Sequence, residues 1–186
     1  MPALPCGDRG GGEPLSARLA GFFRSLFLIT LPVLALDQVT KALVRNHLRL
    51  SDDIVLIPHW LDITYALNPG AAFSLLTNAP PWVHHWFLIG LSAVAIVVLL
   101  VLLWQNFRLG LINTALALIL AGACGNLIDR LSYGVVTDFI LMHYYAHDYP
   151  IFNVADSAIT IGVALLLISS LFGPGSSHSA SPKTPA

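Results

Sequence analysis

Residues 86–104 read WFLIGLSAVAIVVLLVLLW, nineteen residues without a charge, closed at each end by tryptophan. A helix needs about 20 mostly apolar residues to cross a hydrocarbon core of about 30 Å, and Trp concentrates at the two interfaces of that core. The stretch therefore predicts a membrane-spanning helix over about 83–104. Composition agrees over the whole chain: 56% of the 186 residues are hydrophobic and only 10% charged, with a mean hydropathy of +0.75. Soluble domains carry about a quarter charged residues, so this chain reads as a membrane protein.

Working outward, Gln105-Asn106-Phe107-Arg108 is a polar turn, and Leu109 to Ile128 is a further uncharged run of twenty residues ending in Asp129-Arg130. It predicts a span over about 109–129, on which Ala117, Ala121 and Gly125 leave one face smooth enough for a neighbouring backbone to approach. Another run, 153–172, carries Asp156 as its one charge. Upstream, an apolar segment over about 20–44 includes Arg24 and the sequence DQVTK. It has no small-x-small cleavage site at its end, so it is expected to remain as a spanning helix, kinked at Pro32. Between this first span and the Trp86 run, Leu61, Ile63, Tyr65 and Leu67 alternate with Asp62, Thr64, Ala66 and Asn68. Period-two alternation indicates a half-buried strand, and open strands cannot lie in lipid. Residues 48–79 thus predict a small exoplasmic β element. The expected architecture is an α-helical polytopic membrane protein with four transmembrane helices and that one β element.

Residues 1–18 and 173–186, rich in Gly, Pro and Ser, are expected to be disordered tails, leaving 19–172 as the membrane domain. Four spans put both tails on one side. That side, with the 105–108 turn, holds Arg9, Arg18, Arg24, Arg108 and Lys183 against Lys41, Arg45, Arg49 and Arg130 opposite. Five cations to four favours cytoplasmic termini. A formal charge of -1 offers no basic face for nucleic acid. Cys6 and Cys124 form neither a disulfide framework nor a thiol metal site.

The polar residues that remain are the informative ones, because an ionisable group at bilayer depth is expensive unless paired or wetted. Asp138 and Asp156 stand 18 residues apart (156 − 138), flanking an aromatic loop with Tyr144, Tyr145 and Tyr149. The plain reading makes Asp138 a loop acid and Asp156 an acid favoured by the first turn of a helix. The functional reading pairs them: two carboxylates a few ångströms apart hold one proton between them, so one can take a proton from water while the other polarises a carbonyl. Asn126 and Arg130 share a helix face at i and i+4, either as a polar helix end or aimed into that site. Asp37 and Lys41 have the same spacing and read as a helix-supporting ion pair. Asn68-Pro69-Gly70 has turn chemistry. His143 and His147 would suit a metal if helical, but the tyrosines around them favour an interfacial aromatic belt, and no metal or cofactor is expected. A small transporter relaying protons through the same acids is the alternative; it calls for acids near mid-span and broken helices.

Five motifs, taken in order, are similar to those of one family: Asp37 to Lys41 (DQVTK), Asn68 to Ser74 (NPGAAFS), Gly125 to Arg130 (GNLIDR), Gly134 to Phe139 (GVVTDF) and Phe152 to Gly162 (FNVADSAITIG). Over roughly residues 25–172 the chain resembles lipoprotein signal peptidase, the bacterial signal peptidase II family. The resemblance implies an inner-membrane aspartic endopeptidase, active as a monomer among membrane lipids, that removes signal peptides from diacylglyceryl-modified prolipoproteins on the exoplasmic side. It implies Asp138 and Asp156 as the catalytic dyad. It implies Asn68, Gly70, Asn126, Arg130 and Asn153 at the substrate site, and supporting roles for Asp37, Lys41, Gly122 and Asp129. The aromatic loop before Asp156 would be its moving cover.

Overall fold

The computed structural model describes residues 14–70, 81–144 and 147–172. Its first crossing is one long helical rod, Leu15–His47, made of α1 (Leu15–Ser25), a π-helical turn (Leu26–Thr30) and α2 (Leu31–His47). Helix thus begins inside the segment expected to be tail; Leu19 and Phe23 face outward, and the side chain of Arg18 lies 5.2 Å from the Phe107 ring centroid. The kink expected at Pro32 takes the form of the π turn. A proline ring collides with the carbonyl four residues back and supplies no N–H, and the wider turn accommodates this, with Leu31 N–H donating to the Leu26 carbonyl five residues back.

Helices α3 (Pro81–Gln105), α4 (Leu111–Tyr133) and α5 (Val154–Phe172) complete four helices long and apolar enough to cross a membrane. Exposed Val94, Val97, Val98 and Val101 on α3 present the surface that lipid tails would cover. Helix α4 is the central one, packed on α2, α3 and α5, and Leu116, Ala117 and Leu120 join Leu99 and Leu103 of α3 in the core. It runs one turn beyond the expected end, closing on Gly134 in the left-handed conformation (φ 80°), whose N–H bonds the Arg130 carbonyl at 3.0 Å.

Small residues set the helix spacing. The Ala117 and Gly125 face receives the first crossing, with Thr30 Oγ1 donating to the Ala117 carbonyl at 3.1 Å and Gln38 Nε2 to the Gly125 carbonyl at 3.1 Å. A neighbouring face receives α5: any Cβ at Gly122 would collide with the Ala155 carbonyl. Such close backbone approach is how helices associate where lipid removes the hydrophobic drive.

The β element is larger than the sequence suggested. Strands β1 (Asp53–Ile57), β2 (Leu61–Asn68), β3 (Val136–Tyr144) and β4 (His147–Asp148) form an antiparallel sheet in chain order. Residues 136–144, read as loop, are instead strand: β3 pairs with β2 in the register Ala66↔Asp138 and Asn68↔Val136. Asp138 is therefore a strand residue held by a ladder. His143 and His147 fall on the facing strands β3 and β4, so the helical spacing that a metal pair required is not formed. On β2 it is Asp62 and Thr64 that turn inward, while every residue of β1 is exposed. Residues 71–74 of the NPGAAFS motif and Tyr145 lie outside the described residues.

Candidate active site

Two elements deliver the two aspartates to one end of the bundle. Strand β3, entering straight from the Gly134 turn, carries Asp138 as its third residue, and α5 carries Asp156 in its first turn. The start of α5 is fixed locally: the Asn153 side-chain oxygen accepts from Asp156 N–H at 2.9 Å, and Asp156 Oδ2 accepts from Asn153 N–H at 3.3 Å. This reciprocal capping box satisfies two amides that the helix cannot and sets the direction of the Asp156 side chain.

Asn153 also donates from Nδ2 to Asp138 Oδ1 at 2.7 Å, and Asn126 donates from Nδ2 to Asp156 Oδ1 at 2.8 Å. Asn153 Nδ2 lies 3.3 Å from Asn126 Oδ1, so the two carboxylates terminate a continuous chain, Asp138 to Asn153 to Asn126 to Asp156. Asn68, arriving on β2, donates to the other Asp138 oxygen at 2.9 Å, while its own side-chain oxygen accepts from Gly70 N–H at 2.8 Å. Gly70 holds φ 99°, a conformation costly for any residue with a Cβ.

The environments of the two acids differ. Asp138 is 2% exposed, whereas Asp156 is partly exposed and lines a cleft of about 900 Å³ together with Trp60, Tyr144, Tyr149, Phe152 and Thr160. Burial pushes the Asp138 carboxyl up from 3.8 to about 6, with the Asp156 charge adding to the rise and the Asn68 and Asn153 hydrogen bonds and the Lys41 charge opposing it. A carboxyl titrating there exchanges its proton near neutral pH, as general acid–base work requires.

Behind the pair lies a buried ionic layer. Lys41, 0% exposed, places Nζ 3.0 Å from Asp37 Oδ2, 3.3 Å from Asp129 Oδ2 and 3.0 Å from Asn126 Oδ1. Arg45 reaches Asp129 at 3.4 Å and Thr137 Oγ1 at 3.0 Å, and its guanidinium lies 4.3 Å from the Tyr133 ring centroid. The sequence reading did not single out Arg45 or assign Thr137 a place here. A signal existed for Arg45, which continues the face of Asp37 and Lys41 by four more residues. Arg130, in the last turn of α4, lines a smaller cavity with Asn68, His85 and Gly134, and its guanidinium lies 3.4 Å from the Asn126 carbonyl of its own helix. Gly122 stands apart, at the α4–α5 contact. Among the described residues no three His, Cys, Asp or Glu side chains gather as a metal site.

The sequence profile described as Signal peptidase (SPase) II matches residues 29–172. The chain is 43% identical over 151 residues to a protein named lipoprotein signal peptidase from Syntrophotalea carbinolica, covering 79% of this chain and 91% of that one. It is 42% identical over 165 residues to the lipoprotein signal peptidase of Acinetobacter baumannii, covering 86% and 93%. A bacterial membrane enzyme solved by the in meso method at 2.3 Å superposes with a TM-score of 0.70 at 32% identity, covering 88% of this chain and 94% of that one.

Proposed function

The chain belongs to the signal peptidase II family, and we propose that within that family's work, removing signal peptides from lipoproteins, it acts as an aspartic endopeptidase with Asp138 and Asp156 as its dyad. It is a bacterial multi-pass membrane protease. The observation that carries the finer reading is the pairing itself: two carboxylates, brought by β3 and α5, bound into one asparagine chain beside a largely apolar cleft.

In this reading Asp156, on the cleft, is the base that takes a proton from the attacking water. Asp138, buried and titrating near 6, holds the pair's proton and gives it to the carbonyl oxygen of the scissile peptide as the tetrahedral centre forms. Asp156 then passes the water's proton to the leaving amine, and collapse of the gem-diol returns a proton to Asp138. No covalent enzyme intermediate forms. Asn126 and Asn153 orient the carboxylates by donating to one oxygen of each, and Asn68 donates to the second oxygen of Asp138. Arg130, Asn68 and Gly70 bound the substrate side.

The cleft's aromatic wall and its position at the end of the bundle suit a signal helix in the bilayer and a diacylglyceryl group beside the cut. The substrate is then a lipid-modified prolipoprotein, with the sheet end exoplasmic, both termini cytoplasmic and the enzyme a monomer. The test is cleavage in proteoliposomes of one prolipoprotein with and without its diacylglyceryl group. The expected result is release of the signal peptide from the lipidated form alone, undiminished by a chelator. Equal cleavage of both forms, or loss restored by zinc, overturns the substrate or the metal-free chemistry respectively.

A further inference from the structure

We infer that Lys41 is a positioning residue for the dyad, acting through Asp37, Asp129 and Asn126. The inference rests on the dyad reading above. An ion pair that merely supports a helix does so at an exposed surface and has no need of burial, yet Lys41 and its two acids are all 0% exposed. Buried charge is costly to maintain and is weak evidence for stability. Its arrangement gives the better explanation.

Each of the three groups that Lys41 contacts holds a dyad residue or its immediate neighbour. Asp37, through its other oxygen, accepts from the backbone N–H of Ala155 at 2.8 Å, one residue before Asp156. Asp129 accepts from the backbone N–H of Thr137 at 2.9 Å, one residue before Asp138. Asn126 donates directly to Asp156 at 2.8 Å. An ammonium has three N–H donors, and here three acceptors surround it, each on a residue that fixes part of the dyad. One cation on the first crossing thereby ties the β3 strand and the α5 helix into a common frame. Without Asp37 and Asp129, β3 and the start of α5 would still be joined near the dyad by the backbone bonds of Phe139 and Ile140 with Phe152 and by the Asn153 bonds to Asp138 and to the Thr137 carbonyl, but none of these reaches the first crossing.

The test compares wild type, Asp138→Asn, Asp156→Asn, Lys41→Met and the charge-balanced pair Asp37→Asn/Lys41→Met in proteoliposomes, using the lipidated prolipoprotein. Lys41→Met alone leaves the buried Asp37 carboxylate without a cation and Asp129 with Arg45 alone, and can fail to fold. The pair keeps Asp129 with Arg45, and the amide introduced by Asp37→Asn still has an oxygen to accept from Ala155 N–H. Because misplacing a reacting group by about 1 Å costs on the order of 10²-fold, the folded pair is expected to lose about 100-fold in kcat with KM within threefold of wild type. A kcat within threefold of wild type, or a loss confined to KM, overturns the positioning role. Full activity of Asp138→Asn or Asp156→Asn overturns the dyad itself, a different failure from that of Lys41.

Discussion

Replacing Asp138 by Asn should change how the protein's stability depends on pH, by an amount that follows from its burial. The carboxyl is 2% exposed and is raised from 3.8 to about 6, first by that burial and then by the nearby Asp156 charge. The folded state binds this proton more tightly than the unfolded chain. The stabilisation is therefore complete below pH 4 and is lost as pH rises toward and through 6. A rise of about two units corresponds to about 3 kcal/mol. The substituted amide is neutral throughout, so the variant lacks this slope. It also meets two amide donors, from Asn68 and Asn153, with one acceptor oxygen, a mismatch that costs about 1–3 kcal/mol at every pH. Titrating groups that do not interact with Asp138 are common to both proteins and cancel in the difference. For a chain of this length the expected gap between variant and wild type moves in the variant's favour by roughly 5–10 °C in Tm between pH 4 and pH 7.5. Thermal unfolding in detergent across that range measures it. A gap that stays constant, or moves against the variant as pH rises, would refute the claim that burial holds Asp138 as a late-ionising acid.

Three further outcomes follow from the same geometry. The pH profile of kcat/KM for lipidated prolipoprotein should fall on its alkaline side with an apparent pKa near 6, a value belonging to the coupled pair; a profile flat from pH 5 to 8 contradicts a working proton on Asp138. Asn153→Ala removes the cap of α5 and a donor to Asp138, and should cost about 1–2 kcal/mol from the cap alone together with a fall in kcat; unchanged Tm and kcat would contradict both roles. In Gly122→Ala the new methyl meets the Ala155 carbonyl and Ile159, so α5 must shift from α4, at a cost of about 1–3 kcal/mol and with reduced kcat, because Asn126 and Asp156 sit on the two helices being parted; unfolding and turnover measurements equal to wild type would contradict the close contact.

What the sequence made legible was whatever lay within one element. The Trp86 to Trp104 run, the Pro32 disturbance and the first-turn position of Asp156 are local, and each is found where its residues put it. Strand β3 was hidden because VTDFILMHY does not alternate: its first four residues are all buried, against β2 and the bundle, and only later residues face outward. Buried on both faces at that end, it carries no period-two signal. The first turn of helix α1, Leu15 to Arg18, was hidden for another reason. Arg18 and the preceding Gly and Pro residues look like tail, yet a charged residue at a membrane edge can extend its head to water while its stem stays apolar. At the site, Asn126 and Arg130 were placed on one helix face by spacing, but the capping role of Asn153 depends on where α5 begins. The part played by Lys41 needed tertiary structure, because its partners Asp129 and Asn126 lie 88 and 85 residues away (129 − 41, 126 − 41). Local spacing revealed its bond to Asp37 alone.

The central claim is that Asp138 and Asp156 are one catalytic unit. It is tested most directly by the cleavage rate of diacylglyceryl-modified prolipoprotein by folded, membrane-inserted Asp138→Asn and Asp156→Asn, beside wild type at one pH. General acid–base groups contribute about 10²–10⁴-fold each, and members of one unit are not additive. Each variant should therefore lose at least about 10²-fold, with the double variant little worse than either. Wild-type cleavage by either single variant would contradict the account.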